Sequence, residues 1–306
     1  MVLTVGAMTQ NLESKLLAEM ARLKAAGCVG ISNALSPIKN SVVLQRAMAY
    51  AATLDMTVFI NSSDPWLQEQ GCVHEGAVSA RLGLGGIAES AETIAVSRDL
   101  ILIEKTGVRA HFHNLSTGKA VKLIRDAQSR GLNVTADVSA HHLHLSEHDL
   151  GNYDALTHVL PPFRSIRDRE QLQQGIRDGV ITAISSHHQP LDKDDKLGPF
   201  AETQPGISGL ETLLPLTMKL VEDDEIPLHK ALAALTCNPA DILGIESGQL
   251  KVGAIADICL IDPDSEYECQ PLNFMSAGKN SPFEGWLFNH QVSHTIFHGR
   301  LVFERD

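Results

Sequence analysis

The sequence predicts an α/β fold, a (β/α) barrel, and three observations lead to that prediction. Short β-branched runs alternate with amphipathic helical stretches from the start of the chain. Six such strand–helix units follow one another, which is typical of parallel strands joined by right-handed crossovers. Each unit has polar residues at the carboxyl end of its strand, where a barrel carries its site.

The elements follow in order along the chain. Strands are predicted at residues 2–8, 28–32, 57–61, 108–114, 133–139 and 180–186. Helices are predicted between them at residues 12–26, 43–54, 90–106, 117–130 and 167–178. In the first of these helices Leu16, Met20 and Leu23 repeat at helical spacing, and Gly27 ends it.

The composition changes after about Gly244. Three short runs with strand character, at residues 256–262, 291–297 and 301–304, are separated by Gly, Pro and Asn. We therefore predict two parts: residues 1–245 as a partial (β/α) barrel, and residues 246–306 as a small β subdomain segment with the C-terminal tail.

Charge and composition exclude several functional classes. A net charge of −12, spread along 306 residues, argues against nucleic acid and anionic membranes as partners. No apolar run approaches the roughly 18 residues of a spanning helix, and no signal peptide is visible. Five widely spaced cysteines without a Cys-x-x-Cys pair indicate a reducing cytoplasm. Fourteen histidines are the first hint of metal chemistry.

Several motifs together resemble dihydroorotases of the amidohydrolase superfamily. They include VGAMTQNLE from Val5, HEGAVSARLGLGGIAESAE from His74, NLSTGKAVKLIRDAQSRGLNVTADVSAHHLHL from Asn114, PPFRSIRDRE from Pro161 and GKNSPFEGW from Gly278. The resemblance implies an amidohydrolase-type (β/α)8 TIM barrel, incomplete here, and a place in pyrimidine biosynthesis. The usual reaction of that family cyclises N-carbamoyl-L-aspartate to dihydroorotate with zinc as Lewis acid.

The positions that the resemblance marks as functional carry other residue types. Those matching the family's metal ligands are Asn33, Asn61, Asn114 and His187, and His187 also replaces the catalytic aspartate. Those matching the substrate pocket are Leu160, Leu191, Pro205 and Gly206. A neutral amide is a poorer zinc ligand than imidazole or carboxylate, and without zinc a bound water keeps its pKa of about 15.7. We therefore expect a pseudoenzyme, with no cofactor and no catalytic residue.

Other histidines are also candidate metal ligands. His111-Phe112-His113 mimics a His-x-His pair, but strand alternation counted from Asn114 predicts Phe112 inside the barrel and both histidines facing the helices. For His141, His142, His144 and His148, buried hydrogen bonding is favoured over ligation. A surrogate metal site would combine His187 with His188, and with Asp64 or Asp137.

The family's first two strands, with their His-x-His pair, have no counterpart in this sequence. Six strands leave two unpaired sheet edges. We expect either a fragment or altered start of a longer protein, which we favour, or another chain that covers the gap.

These residues support three functional hypotheses. The segments ISSHHQP, from Ile184, and PFAETQPGISGLE, from Pro199, are similar to inactive dihydroorotase-like subunits. That similarity implies a homo-oligomer whose partner is the catalytic subunit of aspartate carbamoyltransferase. The alternatives are an active, zinc-dependent cyclic amidohydrolase with a rebuilt metal site, and a metal-free module that binds a metabolite in the old pocket.

Overall fold

Parallel strands and surrounding helices make up most of the computed structural model, which describes residues 2–305. The strands of this part are β1 (Val5–Ala7), β2 (Gly30–Ser32), β3 (Thr57–Ile60), β4 (Val73–His74), β5 (Gly86–Ile87), β6 (Ala110–Phe112), β7 (Val134–Ser139) and β8 (Ala183–Ser185). The helices are α1 (Met20–Ala25), α2 (Ser41–Thr53), α3 (Pro65–Gln68), α4 (Ala77–Leu82), α5 (Glu89–Thr106), α6 (Gly118–Ser129), α7 (Ile166–Asp178), α8 (Leu213–Glu222), α9 (Leu228–Leu235) and α10 (Cys237–Leu243).

Six of these strands form one sheet in the order β1-β2-β3-β6-β7-β8, and all of its pairs are parallel. The register pairs Val5 with Gly30, Val58 with Ala110, and Asp137 with Ala183. Within residues 2–305, β1 pairs only with β2 and β8 only with β7, so the sheet is open between its two outer strands. Because the strands are parallel, their carboxyl ends gather on one side.

Local sequence signals account for most helix boundaries. The side chain of Asn40 caps the first turn of α2, and Ser165 caps α7 by accepting a hydrogen bond from the Asp168 backbone. Gly179 ends α7 in the left-handed conformation, which costs glycine little. Helices α2, α5, α6 and α7 pack against one another in sequence order and bury the outer face of the sheet.

The first predicted helix, at residues 12–26, is absent over most of its length. Only Met20–Ala25 is helical, and a loop precedes it in which Asn11, Leu12 and Ser14 have positive φ angles. An isolated bridge between Thr9 and Leu17 closes this loop. The apolar spacing of Leu16 was misleading, since that side chain is mostly exposed.

The C-terminal part is antiparallel. It contains β9 (Ile258–Asp262), β10 (Tyr267–Glu268), β11 (Leu287–Phe288), β12 (Gln291–Phe297) and β13 (Arg300–Glu304). β12 lies between β9 and β13, and β10 pairs with β11. Phe283 and Phe288 are buried in the same core as the parallel sheet. The predicted strands are therefore present, whereas the division at residue 245 stays a prediction.

No helix among the described residues combines the length and apolar character needed to cross a membrane.

Candidate functional site

Residues of all six strands of the parallel sheet, together with residues of α10, line an open cleft of about 850 Å³. Much of its wall is apolar, and none of its lining residues is Lys or Arg. Among its polar residues and their neighbours is a connected group, hereafter called the Asp137 cluster: His111, His113, Asn114, Asp137, Ser185 and His187. Polar side chains gathered in an otherwise apolar cavity make this cluster the candidate functional site.

The carboxylate of Asp137 is the centre of the cluster. Its Oδ2 lies 2.9 Å from Nε2 of His111 and 2.6 Å from Nδ1 of His113. Its Oδ1 accepts hydrogen bonds from the Asn114 backbone N–H at 2.9 Å and from the Ser185 hydroxyl at 3.1 Å. The side chain is buried, so these four contacts replace the water that a carboxylate otherwise binds.

The charges within the cluster are coupled. Burial alone would raise the pKa of Asp137, but the charge of His113 and the hydrogen bonds from both histidines outweigh it and hold that pKa well below its usual range. For His113 burial lowers the pKa, and the Asp137 carboxylate more than compensates, so the net shift is upward. Asp137 is therefore ionised, and its ion pair with His113 favours the protonated form of that imidazole.

His187 lies beside this ion pair without a hydrogen-bonding partner. Both of its ring nitrogens are buried, and neither has a partner among residues 2–305. Its ring stacks on His141 at 5.7 Å between centroids and meets His113 edge-on at 6.0 Å. Burial and the nearby charge of His113 lower the pKa of His187 to about 4, so this imidazole is neutral.

The predicted orientation of His111-Phe112-His113 is wrong. Phe112 is fully buried in the hydrophobic core, while both histidines line the cleft. β6 ends at Phe112, and Asn114 has a φ of +56°, so strand alternation cannot be counted back from Asn114. Asparagine adopts the left-handed region more readily than most residues, but the residue type alone does not show that Asn114 does so.

The side chain of Asn33 is hydrogen-bonded to the loops around it. Its Oδ1 accepts from the Thr9 hydroxyl at 2.6 Å, and its Nδ2 donates to the carbonyls of Ser36, at 2.6 Å, and Leu12, at 3.3 Å. These contacts leave a buried amide with no free oxygen directed at an ion. The residue at this family metal position therefore has a structural task.

Asn33→Asp is expected to destabilise the protein by about 2–3 kcal/mol, although an aspartate is what the family carries there. A carboxylate oxygen would replace the amide N–H₂ and face the carbonyls of Leu12 and Ser36. Urea unfolding followed by circular dichroism measures the change. Asn152→Asp, at an exposed loop residue, is the matched control. Equal unfolding midpoints for the two variants would contradict this assignment.

The remaining predicted site residues fall into two groups, each of which lies close together. Asn61, Leu160 and Pro205 line a second, smaller cavity of about 80 Å³. The other two predicted residues, Leu191 and Gly206, are both hydrogen-bonded to Asn280. The Oδ1 of Asn280 accepts from the Leu191 backbone at 2.9 Å, and its Nδ2 donates to the Gly206 carbonyl at 3.0 Å. Asn280 lies within the GKNSPFEGW motif from Gly278, but nothing in that motif marks its side chain as the one that contacts these two residues.

The predicted surrogate ligands separate into two groups. Asp64 caps α3 by accepting from the backbones of Trp66 and Leu67, and neither Asp64 nor His188 belongs to the close group of donors around Asp137. His188 instead accepts from the Leu210 backbone at 3.3 Å. Asp137 and His187, by contrast, both line the cleft as members of the Asp137 cluster.

Two of the four histidines after β7 make structural hydrogen bonds. His142 contacts the Ser139 hydroxyl at 2.6 Å and the Pro161 carbonyl at 3.1 Å, and His144 contacts the Leu216 carbonyl at 2.7 Å. His148 is exposed. The prediction of buried hydrogen bonding therefore holds for His142 and His144, whereas Nε2 of His141 has no partner among the described residues.

Comparison with known proteins shows which family this chain belongs to. The model of the amidohydrolase family matches residues 9–302. A "Dihydroorotase-like protein" from Pseudomonas putida is 45% identical over 98% of this chain and 70% of its own length. A "Dihydroorotase" from Geobacter sp. (strain M21) is 39% identical over 99% of this chain and 71% of its own length.

Solved structures agree on the fold. The L-hydantoinase (dihydropyrimidinase) from Arthrobacter aurescens superposes with a TM-score of 0.86 and 24% identity, over 99% of this chain and 70% of that one. This likeness confirms the predicted α/β barrel of the amidohydrolase type. The chain therefore belongs to the amidohydrolase family, among its dihydroorotase-like members.

Proposed function

We propose that this chain is a cytoplasmic, dihydroorotase-like protein of pyrimidine biosynthesis that does not cyclise carbamoyl-aspartate and serves as a structural subunit for aspartate carbamoyltransferase. The observation that carries this proposal is the state of the family's metal positions. The hydrogen bonds of Asn33 are all made within nearby loops, and the Oδ1 of Asn114 lies 3.1 Å from the Ser185 hydroxyl, whose one hydrogen it shares with Asp137. The residues present therefore do not fit the zinc arrangement of the family.

The substrate side supports the same proposal. Leu160 and Leu191 stand where the family places polar contacts to the substrate, and an aliphatic side chain leaves those substrate groups without partners. The two relatives of 45% and 43% identity are each named "Dihydroorotase-like protein", whereas those named "Dihydroorotase" reach 39%.

The test has two arms. Purified full-length protein, mixed with catalytic trimers of aspartate carbamoyltransferase, is expected to co-elute with them in size-exclusion chromatography. The same preparation is expected to convert carbamoyl-aspartate no faster than buffer does, measured beside an active dihydroorotase. Separate elution would overturn the structural role, and turnover above buffer would overturn the inactivity.

A second candidate is a zinc-dependent cyclic amidohydrolase with a rebuilt site. The observation that favours it is the set of donors at Asp137, since His111, His113 and the carboxylate lie within 4.8 Å of one another. Turnover of dihydroorotate that His187→Ala abolishes would support this candidate over the first.

A further inference from the structure

We propose that the Asp137 cluster is a binding site for a divalent transition-metal ion of the zinc type, held by His111, His113 and Asp137 with His187 as the fourth ligand. The site goes beyond the proposed function. It shares only His187 with the positions that match the family's metal ligands, and its other donors are two histidines before Asn114 and a carboxylate on the neighbouring strand β7. Asn33, Asn61 and Asn114 contribute no ligand.

The three nearest donors already converge. Nε2 of His111, Nδ1 of His113 and a carboxylate oxygen of Asp137 all lie within 4.8 Å of one another. Tetrahedral zinc has bonds of about 2.0–2.1 Å to these atoms, so its ligand atoms stand about 3.3 Å apart. To reach that spacing, the contacts of 2.9 Å and 2.6 Å around Asp137 have to open by about 0.4 Å and about 0.7 Å.

The residues behind these donors hold them in the orientation that a metal needs. Nδ1 of His111 contacts the Thr135 hydroxyl at 2.8 Å, which leaves Nε2 directed at Asp137. The other oxygen of Asp137 is anchored by the Asn114 backbone and by Ser185. A hydrogen bond on the far ring nitrogen is the usual support of a metal-binding histidine.

The fourth donor rests on an independent observation. Both ring nitrogens of His187 are buried without a partner among the described residues. A buried imidazole without a hydrogen bond is costly, and a coordinate bond to an ion removes that cost. His187 follows edge strand β8, and its ring centroid lies 6.0 Å from that of His113, so a side-chain movement has to bring one of its nitrogens to the ion.

The surrounding charges suit a cation. The cleft lining contains no Lys or Arg to neutralise Asp137 instead. Four protein donors also leave no open position for water, which characterises structural metal sites rather than catalytic ones. An ion here is therefore compatible with a protein that does not turn over dihydroorotate.

The experiment measures metal binding directly. Full-length protein, stripped with a chelator and dialysed, is titrated with Zn²⁺ against a competing indicator, and Co²⁺ absorption reports the coordination geometry. We expect one ion per chain with a Kd of about 1 µM or tighter, and the intense visible bands of tetrahedral Co²⁺. Asp137→Asn and His113→Gln are each expected to weaken binding at least about 100-fold, since each removes a direct ligand.

Two further variants separate ligation from general damage. Thr135→Val, which removes only the partner of the His111 ring, is expected to weaken binding about 10-fold or more while the fold persists. His188→Ala, next in sequence to a proposed ligand, is expected to bind as the parent does. A parent protein that binds no Zn²⁺ at 100 µM, or Asp137→Asn and His113→Gln proteins that bind it unchanged, would overturn the proposal. Neither result bears on co-elution with the transferase, so the two proposals fail separately.

Discussion

Replacing Glu92 with Gln is expected to lower the free energy of unfolding by about 3–5 kcal/mol. Glu92 is a buried carboxylate in the first turn of α5, and it accepts hydrogen bonds from the backbone and hydroxyl groups of Ser116 and Thr117. The buried guanidinium of Arg164 donates to the same Ser116 hydroxyl at 3.1 Å. Gln removes the charge opposite Arg164 and turns an N–H₂ group toward donors.

Urea unfolding at pH 7 measures this effect. Glu104→Gln, on the exposed face of the same helix, is the matched control and is expected to change stability by less than about 0.5 kcal/mol. The double variant Glu92→Gln/Arg164→Met is expected to cost less than the sum of its single variants, because the two charges interact. Additive losses, or a Glu92→Gln protein as stable as the control, would refute this account.

Lowering the pH from 7 to 4.5 is expected to remove about 3–5 kcal/mol of stability through two buried histidines. Burial lowers the pKa of His142 to about 3, with a contribution from His187, and burial and Lys196 lower that of His158 to about 4. In the unfolded chain both titrate near 6.5, so the unfolded state takes up more protons below that pH. Stability is full above about pH 6.5 and is lost as the pH falls toward 4.

His158→Gln separates this effect from the titration of carboxylates. His158 is buried, contacts the Thr203 hydroxyl at 2.8 Å and stacks on Phe200 at 4.8 Å. Without its protonation, the loss between pH 7 and 4.5 should shrink by about 2 kcal/mol. His229→Gln, at an exposed histidine, should follow the parent protein. Parallel pH curves for all three proteins would show that His158 is not responsible.

The α/β class and most strand positions follow from the sequence, since period-2 and helical patterns report burial residue by residue. The segment 12–26 shows the limit of this reasoning. Its apolar spacing is helical, but Asn11, Leu12 and Ser14 adopt positive φ angles in a loop that Asn33 fastens from a distant position. A contact between residues so far apart in sequence leaves no local pattern.

By itself the sequence determined that the family's metal positions carry amides and an imidazole, because residue identity alone decides what each side chain can donate. Only the tertiary structure decided which histidines meet Asp137. The left-handed conformation of Asn114 breaks the strand alternation after His113, so both His111 and His113 line the cleft, and strand pairing places β7 beside β6 and β8 beside β7. Ligand geometry arises from backbone direction and from neighbours distant in sequence, and neither is encoded in the spacing of residues along one strand.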